Sequence, residues 1–413
     1  MKISAVVREV KVGINFGEQT IPVGRLAERD RRIYFQYEDT FLNTGLEISP
    51  FHLPLQSGLK SFDSHLFEGL PGVFNDSLPD GWGRLLFDRL ARSLGIMHSE
   101  ITPLNRLAHV GNHGLGALVY EPDYSLDEGG HCLDLDQLAV QAHDILVGTS
   151  NDLLKELLAL NGSSAGARPK ALIGLSQDRK NMVHGASHLH DQFSPWIVKF
   201  RNTYDGSDAG AIEYIYALMA RDAGLDVPDI HLFHSHEGAG YFATKRFDRN
   251  GLKRLHMHTA CGLLHSDFRT PSLDYKDLIV LTGALTRDVR EIEKLYRLAV
   301  FNILAHNRDD HSKNFSFLMD EKGQWTLSPA YDLTFSSGPG GEQSTTVMGE
   351  GRSPNLDHLI KLGKEANIAK NNIQKIIDQV QGSLGKWKKH AKEYGVTQGN
   401  IEFIAKRINT SLN

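Results

Sequence analysis

The sequence predicts an α/β chain of the α+β kind, strand-rich at its N-terminal end and helical towards its C-terminal end. Residues 1 to about 60 alternate apolar and polar side chains in short runs, the period of half-buried strands. Residues 354–413 carry apolar side chains at helical spacing with a basic opposite face. Between them, compact apolar runs such as ALIGL and WIVKF interleave with helical patterns.

In chain order, MKISAVVREVKVG reads as a strand, VGINFGEQTIPVGRLAE as a hairpin and RRIYFQYED as a further alternating stretch. GWGRLLFDRLARSLGI, entered after Pro79-Asp80, reads as a helix. LDLDQLAVQAHDILVG and NDLLKELLAL follow as helices, then NGSSAGARPK as a small-residue loop and WIVKF as a strand. AIEYIYALMARDAGL is a helix with Ile212, Ile215, Tyr216 and Met219 on one face, closed by Gly224 and Pro228. GYFATKRFDR reads as a strand. Asp277 to Phe317 is mostly helical in pattern, with a polar break at HNRDDHSKN and a hairpin near Glu321-Lys322-Gly323. SSGPGGEQSTTVMGEGRSP, rich in Gly and Ser, predicts a mobile loop.

A chain of 413 residues accommodates two or three domains. Its formal net charge of -5 gives the molecule as a whole no pull towards nucleic acid or anionic membrane. No run approaches the ~20 apolar residues of a membrane span. Cys132 and Cys261 lack metal-ligand spacing, which argues against a zinc ribbon. Few cysteines and no secretory start predict a cytoplasmic location. His184, His188 and His190 read as a surface loop, since histidine is abundant throughout.

Phosphoryl transfer needs a phosphate cradle, a cation on the phosphates, Mg²⁺ ligands and an acceptor for the hydroxyl proton. The sequence offers each, in the order that protein kinases use. The cradle is Gly162-Ser163-Ser164-Ala165-Gly166-Ala167, whose small side chains let backbone N–H groups approach phosphate oxygens. It lacks the GK[ST] ending of a P-loop. The cation is Lys199, flanked by Val198 and Phe200, with Glu213 on the following helix as its partner. Asn314 lies five residues after Asp309, the kinase spacing of metal ligand to base, and Asp310 does not have it. Asp309 is therefore the expected base, Asn314 and Asp332 the expected Mg²⁺ ligands, and Lys313 a neutraliser of phosphoryl charge. A hydroxyl at Ser163 or Ser164 would lie near the γ-phosphate. Phosphate there would add about -1.5 to -2 charges and drive the loop off the nucleotide.

SSAGARPKAL, WIVKF, ALMARDAGLDVP, KRFDR, NRDDHSKNFSF and SPAYDL together resemble the HipA-like kinases, toxins of bacterial toxin–antitoxin pairs. LEISPFHLPL, FNDSLPDGWGRLL and ITPLNRLAHVGNHGLGAL resemble that family's N-terminal subdomain, so the likeness covers about residues 3 to 380. The resemblance implies a two-lobed protein-kinase-like fold with three parts. These are an N-terminal subdomain over 1–120, the rest of the N-lobe with phosphate loop and strand lysine over 121–250, and a helical C-lobe over 251–413. It implies ATP and Mg²⁺ as cofactors and a serine/threonine protein target. Nucleotide contacts would come from Ala165, Gly166, Ala167, Arg168, Lys170, Lys199, Lys245, Arg246, Phe247 and His311. The family implies an aminoacyl-tRNA synthetase as target and a HipB-like helix-turn-helix antitoxin as partner, with DNA met only through that antitoxin. It also favours Ser163 over Ser164 for autophosphorylation. Two positions depart from the family pattern: Arg168-Pro169 stands where Gln-Glu is frequent, and Lys245 where an acidic residue is common.

Two other readings compete. A metal-dependent phosphohydrolase would use His306, Asp309, Asp310 and His311 with Asp332 bridging. A degenerate kinase would serve as a binding or co-repressor module. Lys199 and Asn314 favour the kinase over the hydrolase. Retention of Lys199, Asp309, Asn314 and Asp332 favours it over the degenerate module.

Overall fold

The computed structural model describes residues 7–63, 65–126, 133–149, 154–161, 166–185, 189, 192–270 and 272–412. Ser163, Ser164, Ala165, His188 and His190 lie outside the described residues.

Strands β1 (Glu9–Asn15), β2 (Thr20–Arg29), β3 (Arg32–Tyr37), β4 (Lys60–Ser61) and β5 (Leu118–Glu121) form an antiparallel sheet in the order β4-β3-β2-β1-β5. The predicted alternation holds: Val10, Val12 and Ile14 of β1 and Phe35 and Tyr37 of β3 are buried. Helices α1 (Asp39–Leu42), α2 (Gly72–Asn75), α3 (Gly81–Ser93) and α4 (Pro103–Val110) fill the span before β5. The Thr102 hydroxyl starts α4 by accepting from the Asn105 N–H at 3.2 Å.

Helix α3 belongs to a second core. Its Trp82, Leu86, Phe87 and Leu90, at helical spacing, pack with α5 (Leu135–Val147) and α6 (Leu154–Asn161) on a second sheet. That sheet comprises β6 (Lys170–Ser176), β7 (Met182–His184), β8 (Phe193–Lys199), β9 (Ile230–Phe233) and β10 (Tyr241–Lys245), ordered β7-β6-β8-β10-β9. Helix α7 (Ala209–Asp222) lies against β9 and β10. Its predicted face of Ile212, Ile215, Tyr216 and Met219 is buried in the larger core, and Gly224, at φ +79°, ends the helix. His184 corrects the surface-loop reading. It is the last residue of β7, opposite Ile173, and is buried.

Beyond a small hairpin, β11 (Arg249–Asn250) and β12 (Lys253–Arg254), β13 (His256–Thr259) leads into α8 (Ala260–Leu264), α9 (Tyr275–Thr286) and α10 (Val289–Leu304). Strands β14 (Ser316–Met319) and β15 (Trp325–Leu327) complete a three-stranded sheet with β13. Phe317 is thus in a strand, where the sequence pattern read helix. The run SFLM is buried at every position as the central strand, and a short continuous apolar run carries no period that separates strand from helix. Helices α11 (Leu356–Glu365), α12 (Lys370–Leu384), α13 (Trp387–Glu393) and α14 (Gln398–Leu412) finish the chain. One hydrophobic core runs from the first sheet through α7 and α10 into these helices. A polar joint reinforces it. The His258 ring bridges Ser49 at 3.0 Å and Asp76 at 2.6 Å, with Ser49 and His258 buried and the Asp76 side chain 5% exposed.

The expected mobile loop is held in place. Gln343, Ser344, Thr345 and Val347 are buried, and the first three bond to Asp310. Its glycines supply turns, including Gly338 at φ +72°, and its serine and threonine supply donors for a buried carboxylate.

Candidate active site

Strands β6 and β8 run antiparallel with Lys170 directly opposite Lys199. Two ammonium groups so placed repel each other, and the repulsion grows with burial. The fold answers with carboxylates. Glu213 reaches from α7 to place Oε1 2.5 Å from Lys199 Nζ, and Asp332, after β15, also pairs with Lys199. Burial acts to lower the Lys199 pKa, but Asp332 and Glu213 override it, and the net shift is upward. For Lys170 burial wins over the pull of Asp332 and brings its pKa down to about 8. Arg168 adds a third cation: Nε lies 3.0 Å from Asp205 and a terminal nitrogen 3.3 Å from Glu213. Glu213 therefore serves two cations. Gly166, at φ +104°, holds a backbone conformation that side-chain-bearing residues rarely adopt, and a Cβ there would lie 2.6 Å from Lys170 Nζ.

The loop after α10 separates two adjacent aspartates. Asp310 points inward and is fully buried. It accepts from the Tyr275 hydroxyl at 2.7 Å, Gln343 Nε2 at 3.0 Å and the N–H groups of Ser344 and Thr345 at 3.0 and 3.2 Å. Burial pushes its pKa up to about 7, against those donors. Asn302 donates to the Tyr275 hydroxyl at 3.0 Å and accepts from Asn307 at 3.0 Å, so the loop is tied to α9 and α10. Asp309 is exposed instead. It faces a cavity of about 460 Å³ shared with Phe268, Arg269, His311 and Ser344. Protein crowded around its carboxyl raises its pKa, and Asp332 adds to this, while His311 and Arg168 oppose it. Asn314 donates from Nδ2 to the Asp309 carbonyl at 2.6 Å, so the two residues singled out by spacing are in contact.

Asp332 has φ +55°, an uncommon backbone conformation for a side-chain-bearing residue. Burial would raise its pKa, but Lys199 and Lys170 hold it well below the usual carboxylate range. His311 Nδ1 is buried without a hydrogen-bond partner, and its ring lies 5.4 Å from that of Phe268. A polar group delivered to this cleft would satisfy it. Lys313 Nζ lies 2.5 Å from Asp80 and 4.5 Å from the Phe268 ring centre.

Lys199, Glu213, Lys170, Arg168 and Asp332 thus form one charged cluster, and the charges of Asp332 and Arg168 act on Asp309 in opposite directions. Gly166 and the adjacent Ala167 enter β6 beside it. Lys245 ends β10 half-exposed, 4.0 Å from Asp229. The Arg246 side chain turns away into a buried joint with Asp248 and the Gly114 carbonyl, while its N–H donates to the Pro195 carbonyl. Phe247 packs against Tyr331. The hydrolase ligand set is not assembled, because Asp310 is turned inward and His306 bonds Ser336 and stacks on Phe335. Among the described residues no group of three or more His, Cys, Asp or Glu is placed to hold a metal ion. A separate cavity of about 420 Å³ lies on the Glu213 side of Lys199, but its lining includes neither Asp309 nor Asp332. Sequence reasoning missed the second ion pair of Glu213, the inward anchor Asp310 and the contact of Asp80 with Lys313. Asp80 is 233 residues from Lys313, and no local spacing joins them.

The HipA-like C-terminal domain matches residues 162–387, and the HipA N-terminal domain matches residues 18–121. Y4mE of Sinorhizobium fredii, a kinase by name, is 26% identical over 305 residues, 71% of this chain and 62% of that protein. The serine/threonine-protein kinase toxin HipA of Shewanella oneidensis is 25% identical over 284 residues, 62% of this chain and 60% of its own length. The chain thus spans about three fifths of these curated relatives. A chain from the Shewanella oneidensis MR-1 complex of HipA, HipB and operator DNA superimposes with a TM-score of 0.68. That match covers 97% of this chain and 96% of that one at 16% identity, which shows a shared fold. With both parts matched in order and the protein-kinase-like fold of HipA spanning nearly its whole length, the chain belongs to the HipA-like family.

Proposed function

We propose that this protein is an ATP- and Mg²⁺-dependent serine/threonine protein kinase and the toxin of a type II toxin–antitoxin pair. The observation that carries this reading is the junction of Lys199, Glu213 and Asp332. Lys199 and Lys170 are the cations for the phosphates, Glu213 fixes Lys199, and Gly166 leaves the backbone room to approach. Asp332 and Asn314 would hold Mg²⁺. Carboxylate and amide oxygens suit a hard cation, and the Asn314 amide already spends its nitrogen on Asp309. When bound, the metal neutralises phosphate charge.

Asp309 is the base. Its exposure lets a substrate hydroxyl reach it, and its raised pKa improves its match to a proton acceptor at neutral pH. His311, Lys245 and the backbone near Arg246 and Phe247 flank the nucleotide. Ser163, favoured over Ser164, is the site of self-modification. Mass spectrometry after incubation with ATP and Mg²⁺ reads this directly, and an unmodified loop in active protein contradicts it.

The solved relative assembles with HipB and operator DNA, which supports a HipB-like helix-turn-helix antitoxin as partner here, with DNA reached through it. A protein of the translation apparatus, with an aminoacyl-tRNA synthetase as first choice, is the proposed target. No helix among the described residues is long and apolar enough to cross a membrane. Labelled ATP added to purified protein and cell lysate identifies the substrate as the labelled band. Absence of any Mg²⁺-dependent label contradicts the reading.

A further inference from the structure

Asp80 stands immediately before α3, where an aspartate ordinarily accepts from the first N–H groups of its own helix. Here its side chain makes no such cap. The carboxylate leaves the helix instead. One oxygen accepts from the Gly166 N–H at 3.1 Å and the other from Lys313 Nζ at 2.5 Å. Both side chains are largely shielded, with Asp80 16% and Lys313 10% exposed. Burial would raise the Asp80 pKa, but Lys313 and the Gly166 N–H bring it down, so the group stays ionised.

The same turn of α3 meets Gly166 on one side and Asn161 on the other. On the far side, the Trp82 N–H donates to the Gly166 carbonyl at 3.1 Å, so Gly166 is held at both its polar groups. Gly81 lies so close that a Cβ would meet the Gly166 oxygen at 2.5 Å. On the near side, a Cβ on Gly83 would meet Asn161 Nδ2 at 2.3 Å. Gly81, at φ +45° and against the backbone of Gly166 and Ala167, tolerates no side chain, so the start of α3 packs closely on Gly166.

We propose that Asp80 is a positioning residue for phosphoryl transfer, tying the end of the phosphate loop at Gly166 to Lys313 of the catalytic loop. A residue of the N-terminal part thereby sets the spacing between the nucleotide cradle and the charge-neutralising lysine. The proposal rests on the kinase reading above. Asp80 acts through Lys313 and Gly166 and needs no contact with substrate.

The test is a double-mutant cycle on the full chain with Asp80→Asn and Lys313→Met, measuring kcat and KM for ATP. Hydrogen exchange at the Gly166 amide is followed in parallel. Asp80→Asn is expected to lower kcat by about 10- to 100-fold, the scale of a misplaced catalytic group, with a smaller change in KM. On the Lys313→Met background it should cost little more, and the Gly166 amide should exchange faster in Asp80→Asn. Losses that multiply across the cycle, or unchanged Gly166 exchange, would overturn the proposal. If Asp80→Asn does not fold, Asp80→Glu, which keeps the charge and lengthens the tether, carries the same cycle. Wild-type protein without ATP turnover overturns the kinase reading and the catalytic half of the proposal together. Gly166 exchange then still decides whether the tether exists.

Discussion

Lys199 Nζ stands 2.5 Å from Glu213 Oε1, joining the end of a sheet strand to the helix beside it. Glu213 is 3% exposed and also meets Arg168, so one carboxylate organises two of the three clustered cations. Lys199→Met should weaken ATP binding by roughly 10- to 100-fold, the scale of one charge-assisted hydrogen bond of about 1.5–3 kcal/mol. It should also lower the melting temperature, because Asp332 loses its paired cation and Glu213 keeps only Arg168. Calorimetry with Mg²⁺-ATP checks the first effect and thermal denaturation the second. An unchanged dissociation constant contradicts the role given to Lys199.

The two adjacent aspartates should part company on mutation. Asp309→Asn, at an exposed position, should fold and bind ATP normally yet lose phosphotransfer by roughly 10²–10⁴, the scale of a general base. Asp310→Asn should instead lose about 1–3 kcal/mol of stability, because an amide presents a donor where Gln343 Nε2 and the Tyr275 hydroxyl now donate. Its activity should suffer through a loosened loop and recover as temperature is lowered. A dead but fully stable Asp310→Asn would reverse the assignment.

Alkaline pH should expose Lys170. Its pKa of about 8 in the free protein makes it cationic below that value and neutral above it. A neutral amine attracts phosphate less, so kcat/KM for ATP should fall as pH rises through about 8. Lys170→Met should have a lower plateau and no such limb. A wild-type profile flat from pH 7 to 9 contradicts this placement of the cation.

Growth offers an independent check. Induced alone, the wild type should slow growth, Asp309→Asn should not, and a co-expressed HipB-like partner should relieve the effect. Equal growth of the two strains leaves the toxin reading unsupported.

Most elements were legible because their burial is local. The alternation in β1 and the Ile212, Ile215, Tyr216 and Met219 face of α7 needed only strand and helix periods. The fully buried β14 carried no period, and the segment around Gln343 looked mobile because composition does not reveal a distant buried carboxylate waiting for its donors. In the site, Asp309 and Asn314 could be paired by spacing because five residues span one tight loop. Asp80 could not be joined to Lys313, or Arg168 to Asp205, because those contacts exist only once separate elements pack. Arg168 is instructive. Its two carboxylate partners, Asp205 and Glu213, are brought to it only by the folded chain.

The central claim is transfer of a phosphoryl group from ATP, with Asp309 as base. The most direct measurement follows γ-labelled ATP with Mg²⁺, wild type beside Asp309→Asn, in the presence of cell lysate and with an EDTA control. The account predicts label on protein hydroxyls from the wild type alone, abolished by EDTA. Equal labelling by both proteins, or activity confined to phosphoester hydrolysis without ATP, would contradict it.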